Sequence, residues 1–134
     1  MRQEEKTTAI VTGSGRGIGK ETAVLLAKKG VNVVVCSRTD SEVNSVVEEI
    51  KKLTSKSNVF GVNCDVGIPS QVNSLIRSTI DKFGSETLDI LVNNAGVAFN
   101  KKLIDTTEGE WDQTTNTNLK GAFLFCKGGS SLYD

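Results

Sequence analysis

Thr12-Gly13-Ser14-Gly15-Arg16-Gly17-Ile18-Gly19 is the stretch on which the reading of this chain turns. The apolar run Ala9, Ile10 and Val11 leads into it, and a helical pattern from Glu21 to Lys29 leads out of it. Strand, glycine turn and helix, in that order, bring backbone N–H groups and a helix N-terminus to one point, where they suit a phosphate. The first glycine permits a tight turn. Later ones let a pyrophosphate approach and the helix pack on the sheet. Ile18 breaks the G-x-G-x-x-G spacing, so the motif reads T-G-x-x-x-G-I-G with Gly15 added. The plainer alternative is a glycine-rich connection without a ligand. Alternating glycines directly after a buried strand favour the phosphate.

Outward from this motif, strand and helix patterns alternate. Thr7 to Thr12 is a continuous apolar run suited to burial on both faces. Ile18 to Lys29 follows as a helix with Gly30 as its stop. Val31 to Cys36 is a valine-rich strand. Thr39 and Glu42 have capping-box spacing and open a helix whose apolar stripe is Val43, Val46, Val47, Ile50 and Leu53. Asn58 to Cys64 is the third strand. Pro69 opens a helix striped by Val72, Leu75, Ile76, Ile80 and Phe83 and closed by Gly84. Leu88 to Val92 is the fourth strand. Thr107 and Glu110 repeat the capping-box spacing before a last helix from about Glu108 to Lys127. This alternation argues for an α/β fold with a doubly wound parallel sheet. Right-handed crossovers give the strand order 3-2-1-4 and leave strand four as an apolar edge.

The 134 residues suffice for one core, and residues 1–134 read as a single domain, incomplete on its C-terminal side. Lysine plus arginine and aspartate plus glutamate both number 16, so no net charge argues for nucleic acid or an anionic membrane. No apolar run is long enough to span a bilayer, and the charged start has no secretory core. The absence of histidine excludes a histidine-based triad or metal site within this chain. Cys36, Cys64 and Cys126 read as free thiols in a reducing, cytoplasmic compartment, used for packing.

The chemistry sits at the strand ends. An acid is expected roughly 20 residues beyond the glycines to hold an NAD ribose. Ser37 and Arg38 stand there instead. A guanidinium suits a 2′-phosphate, and Arg16 in the glycine loop lies within reach of the same group, so NADP is favoured over NAD. Both arginines also fit a plain surface. Asp65 and Val66 end strand three, where a carboxylate meets either an adenine amino group or the N-terminus of the next helix. Asn93-Asn94-Ala95-Gly96 ends strand four; its paired amides suit either backbone across the central strands or a cofactor ribose, and the bare pattern also fits a turn.

Together these motifs resemble the N-terminal portion of the short-chain dehydrogenase/reductase family. The resemblance is carried by the glycine motif, Asp65-Val66, Asn93-Asn94-Ala95-Gly96, and Trp111 followed by Asn118-Leu119-Lys120-Gly121-Ala122-Phe123. It implies a Rossmann-type fold, truncated after the fourth strand and its helix. It implies a nicotinamide cofactor and hydride transfer between a secondary alcohol and a ketone, as in 3-oxoacyl-carrier-protein reductases or sugar and polyol dehydrogenases. By the resemblance, Gly13, Ser14, Arg16, Gly17, Ile18 and Gly19 hold the pyrophosphate side. Ser37 and Arg38 then lie at the adenosine ribose, Asp65 and Val66 at adenine, and Asn94 at the ribose or nicotinamide side. Asn118 matches the family's catalytic asparagine, which holds a local helix distortion and a water of the proton relay. For a full-length member a homo-oligomer is implied, because the helix carrying Phe123 often packs between subunits in the family.

The family's catalytic serine and Y-x-x-x-K pair have no counterpart here. The one tyrosine, Tyr133, is followed by a single residue, and Ser130 and Ser131 stand too close to it. Negligible activity of the 134-residue chain alone is therefore the expectation. Two other readings stay open: a non-catalytic binding module, and a portion that does not fold stably alone.

Overall fold

The computed structural model describes residues 7–84, 88–96 and 101–129. Within them strands and helices alternate as β1 (Thr8–Thr12), α1 (Gly17–Lys28), β2 (Asn32–Ser37), α2 (Asp40–Leu53), β3 (Val59–Asn63), α3 (Pro69–Phe83) and β4 (Ile90–Val92). A short 3₁₀ turn at Leu103–Asp105 precedes α4 (Glu108–Thr115), and α5 (Gly121–Gly129) follows. All strand pairs are parallel, in the order β3-β2-β1-β4. This is the expected order, and it places the ends of β1 and β4 side by side.

Strand residues alternate between two cores, as a pleated sheet requires. Ile10, Val34 and Cys36 face α3 and α5, where they meet Val72, Leu75, Ile76 and Phe125. Val11, Val33 and Val35 face α1 and α2, where they meet Ala23, Ala27, Val43, Val46 and Ile50. Helices on both faces explain why β1 and β2 read as unbroken apolar runs. β3 lies at the outer edge, and its burial alternates. β4 is the other edge of the described sheet, and its residues are half-buried.

Local stop signals act as expected. Gly84 takes a left-handed conformation (φ 63°) at the end of α3, and Pro69 starts that helix. Thr107 and Glu110 form a reciprocal capping box at α4.

Four expectations need correction. Thr39 precedes α2 but does not cap it with its side chain. Its N–H donates instead to Ser37 Oγ at 3.0 Å, so the nearer hydroxyl has taken the group that Glu42 would have bonded. Leu53, in the last turn of α2, is 51% exposed, and the buried stripe of that helix ends at Ile50. Cys126 is exposed rather than packed. The last helix is not continuous: Asn116–Lys120 forms a wider π-helical turn between α4 and α5.

Candidate functional site

At the C-terminal end of the sheet the glycine loop, the tip of β2, the end of β3 and the end of β4 enclose a cleft of about 300 Å³. A crevice there, between β1 and β4 where the chain changes direction across the sheet, is where open α/β sheets bind ligands. Its lining includes Gly13, Gly15, Arg16, Gly17, Ser37, Arg38, Asp65, Val66 and Asn94 from the expected set.

Hydrogen bonds fix the glycine loop to β4 and β2. Thr12 Oγ1 accepts from the N–H groups of Asn94 and Ala95, both at 3.0 Å. Asn94 Nδ2 returns a bond to the Gly13 carbonyl at 3.2 Å. Gly13 has φ +64°, and a Cβ there would lie 2.8 Å from Ala95 Cα, so only glycine fits. Gly19 closes the same junction, since a Cβ on it would meet Asn94 Nδ2 at 2.5 Å. Ser14 is fully buried. Its hydroxyl donates to the Val11 carbonyl at 2.7 Å and accepts from Cys36 N–H at 2.9 Å. That hydroxyl therefore ties β1 to β2 and faces the interior. Ile18 is 80% exposed at the start of α1, outside the cleft.

Gly17 differs from its neighbours. Its φ is +61°, yet no atom lies within 4 Å of the position its Cβ would take. The loop thus keeps an open backbone wall at the N-terminus of α1, beside the extended Arg16. A group with diffuse negative charge fits such a wall, which offers N–H groups and the positive end of the helix. The cleft carries further polar groups at the β2, β3 and β4 tips, as an extended nucleotide requires. The residues present therefore fit a dinucleotide.

The flanking groups are poised in different ways. Ser37 Oγ is engaged with the Thr39 backbone. Arg38 is exposed, and among the described residues its guanidinium has no acidic partner. Asp65 Oδ1 accepts from Gly67 N–H at 2.9 Å, and Asp65 N–H donates to Gln71 Oε1 at 2.8 Å. The residue capping α3 is Ile68, so Asp65 is not the helix cap. Burial, and then the Asp65 charge, push the Cys64 thiol up to about 11. Burial, and then Cys64, push Cys36 up as well. Both thiols stay protonated near neutral pH and behave as packing groups.

The π-helical turn is seated against the cleft. Thr117 within it is buried and lines the cleft wall. The Asn116 carbonyl lies 3.1 Å from where a Gly67 Cβ would stand. A Cβ on Gly121 would press on Val66 Cγ2 at 2.6 Å, and one on Gly96 would lie 3.3 Å from Asn118 Oδ1. Small residues thus let the distorted turn lie over the ends of β3 and β4, and they bring Asn118 next to Gly96. Ala95 and Gly96 of the Asn-Asn-Ala-Gly motif also line the cleft, as do Thr39, Glu42, Cys64 and Thr117, which the sequence did not mark as cleft residues. For Glu42 the available signal was its place in the first turn after the β2 tip. Ser130, Ser131 and Tyr133 lie outside the described residues. Among the described residues no cluster of acids, histidines or cysteines could hold a metal, and no helix is long and apolar enough to cross a membrane.

Comparisons with known proteins agree with this geometry. The family profile described as short chain dehydrogenase matches residues 7–132. The chain is 41% identical over 117 residues to the 3-oxoacyl-(acyl-carrier-protein) reductase FabG of Staphylococcus aureus, covering 87% of this chain and 46% of that protein. It is 38% identical over 120 residues to a (2S)-[(R)-hydroxy(phenyl)methyl]succinyl-CoA dehydrogenase subunit of Thauera aromatica, covering 90% and 47%. Among solved structures, a metagenomic short-chain oxidoreductase in complex with NADP superposes with a TM-score of 0.87 at 29% identity, covering 96% of this chain and 57% of that one. A 3-ketoacyl-ACP reductase from Sinorhizobium meliloti gives 0.85 at 36% identity, covering 93% and 48%. The chain spans about half the length of the curated relatives it matches.

Proposed function

The chain belongs to the short-chain dehydrogenase family, and from that premise we propose that it forms the dinucleotide-holding part of an NADP(H)-linked oxidoreductase. The reaction class is hydride transfer between a secondary alcohol and a ketone on a small substrate. Activity like that of the 3-oxoacyl-carrier-protein reductases is one form of this reaction, supported by the similarity to FabG. When bound, the nicotinamide group would donate the hydride to a ketone or accept it from an alcohol.

The observation that carries the reading is the open glycine wall at Gly17, beside Arg16 and facing the tip of β2. In this reading the backbone of Gly13 to Gly19 and the N-terminus of α1 neutralise the pyrophosphate. Ser14 serves by holding that loop to β2, and Ile18 and Gly19 serve by shaping the start of α1. Arg38 and Arg16 attract the 2′-phosphate, Ser37 borders the ribose, and Asp65 and Val66 border adenine. Asn94 orients the ribose side while it holds the Gly13 carbonyl. Asn118 is proposed as the catalytic residue that holds a water in a proton relay. The π-helical turn around it supports that role, because such bulges recur at functional sites. Self-association is supported by Trp111, Leu119 and Phe123, which are all exposed. A reducing, cytoplasmic compartment fits the three free thiols.

Two experiments test this. Equilibrium titrations of NADPH and NADH should show tighter binding of NADPH, and Arg38→Asp should reverse or erase that preference by about tenfold or more. An unchanged affinity ratio would remove Arg38 from the 2′-phosphate. Second, the 134 residues contain no Y-x-x-x-K pair to protonate an alkoxide, so the pure chain should oxidise no NADPH with carbonyl substrates. Steady turnover would contradict that.

A further inference from the structure

The tip of β2 carries no acid, yet beside it the cleft is lined by one, Glu42, in addition to Asp65 at the end of β3. Glu42 comes from the first turn of α2 and lines the cleft together with Ser37 and Arg38. Its position follows from a competition between two acceptors. Glu42 stands where a capping-box carboxylate would fold back to the Thr39 N–H. Ser37 Oγ has taken that N–H at 3.0 Å, and the Thr39 side chain makes no cap. The carboxylate turns the other way, over the glycine loop. Its Oε2 stands 3.0 Å from the position a Gly15 Cβ would occupy, and Ser37 Oγ stands 2.9 Å from the same point. Glu42 is partly buried, and among the described residues its carboxylate has neither a basic partner nor a hydrogen-bond donor. A partly exposed carboxylate at a cleft wall accepts from water until a ligand brings donors of its own. A ribose with free hydroxyls supplies them. A ribose carrying a 2′-phosphate brings like charge instead.

We propose that Glu42 is a specificity residue of this cleft: its carboxylate accepts from the ribose of an unphosphorylated dinucleotide and opposes the attraction of Arg38 for a 2′-phosphate. The inference rests on the dinucleotide reading above and sharpens it. The site then balances a guanidinium against a carboxylate, and it accepts both cofactors with a modest preference. Glu42 and Arg38 act with opposite signs on the same ratio, so neutralising either one tilts the balance in a known direction.

The test is a set of titrations of the 134-residue chain with NADP⁺ and with NAD⁺. Wild type, Glu42→Gln, Glu42→Asp and Arg38→Gln are compared at low and high salt. Glu42→Gln should shift the affinity ratio about five- to tenfold towards NADP⁺, the size of one partly screened charge interaction. Glu42→Asp keeps the charge and should shift the ratio less, and Arg38→Gln should shift it the other way. If Glu42→Gln leaves the ratio unchanged while both nucleotides bind and Arg38→Gln still moves it, the Glu42 role is overturned and the dinucleotide reading stands. If wild type binds neither nucleotide, the dinucleotide reading itself is overturned, and the Glu42 role falls with it.

Discussion

Ser14 shows how single residues hold this cleft open from behind. It joins β1 to β2 through the Val11 carbonyl and both backbone groups of Cys36, in a fully buried position. Ser14→Ala would remove two of those bonds and leave the Cys36 N–H buried without a partner. The expected loss is about 1–3 kcal/mol of stability, read as a fall in the urea midpoint at unchanged slope. A midpoint equal to that of wild type would show that the bridge contributes nothing. Much at this scale was legible in the sequence. Gly13 and Gly19 were required by spacing, and the structure supplies the reason: a side chain at either would strike Ala95 or Asn94. Glu42 was not legible as a cleft residue. The sequence reads it as half of a capping box, and only the folded position of Ser37, close enough to capture the Thr39 N–H, frees it for the cleft.

At the scale of elements, α4 offers a pH-dependent join. Its Thr107–Glu110 box is reinforced by an ion pair from Lys101 Nζ to Glu110 Oε2 at 2.9 Å. The Lys101 bond foremost, then the Thr107 N–H, lower the Glu110 carboxyl below its ordinary value of 4.5. A depressed folded-state pKa stabilises above the unfolded value and is lost as pH falls through the folded one. The start of α4 should therefore loosen on acidification only below pH 4.5, followed by NMR at the Glu110 and Trp111 amides, and Glu110→Gln should flatten that dependence. Titration of these amides at or above the ordinary value would contradict it. The strand-helix alternation and the order 3-2-1-4 were readable because burial on two faces writes unbroken apolar strands, and crossover handedness then fixes the order. The π-helical turn could not be read from pattern. From Asp112 to Lys120 the sequence holds one apolar residue, Leu119, so no period marks the wider turn, which lies against Gly67 and Gly96 of other segments. Only the family resemblance pointed to a distortion at Asn118.

At the scale of the whole molecule, one end of the sheet gathers most of the candidate cofactor residues into the cleft, while the two cores occupy its faces. Binding and stability are thus separated in space: residues such as Arg38 and Gly17 face the cleft, and residues such as Val34 and Val35 hold the layers together. The chain spans about half the length of the curated relatives it matches, and its 134 residues contain no Y-x-x-x-K pair. An NMR titration of the ¹⁵N-labelled chain with NADP⁺ decides whether this end of the sheet holds the dinucleotide. Saturable shifts are expected at the amides of Gly13 to Gly19, at Arg38, at Asp65 and at Asn94, with α3 unmoved. No saturable shift, or shifts confined to the far side of the sheet around Lys51 and Lys82, would contradict it.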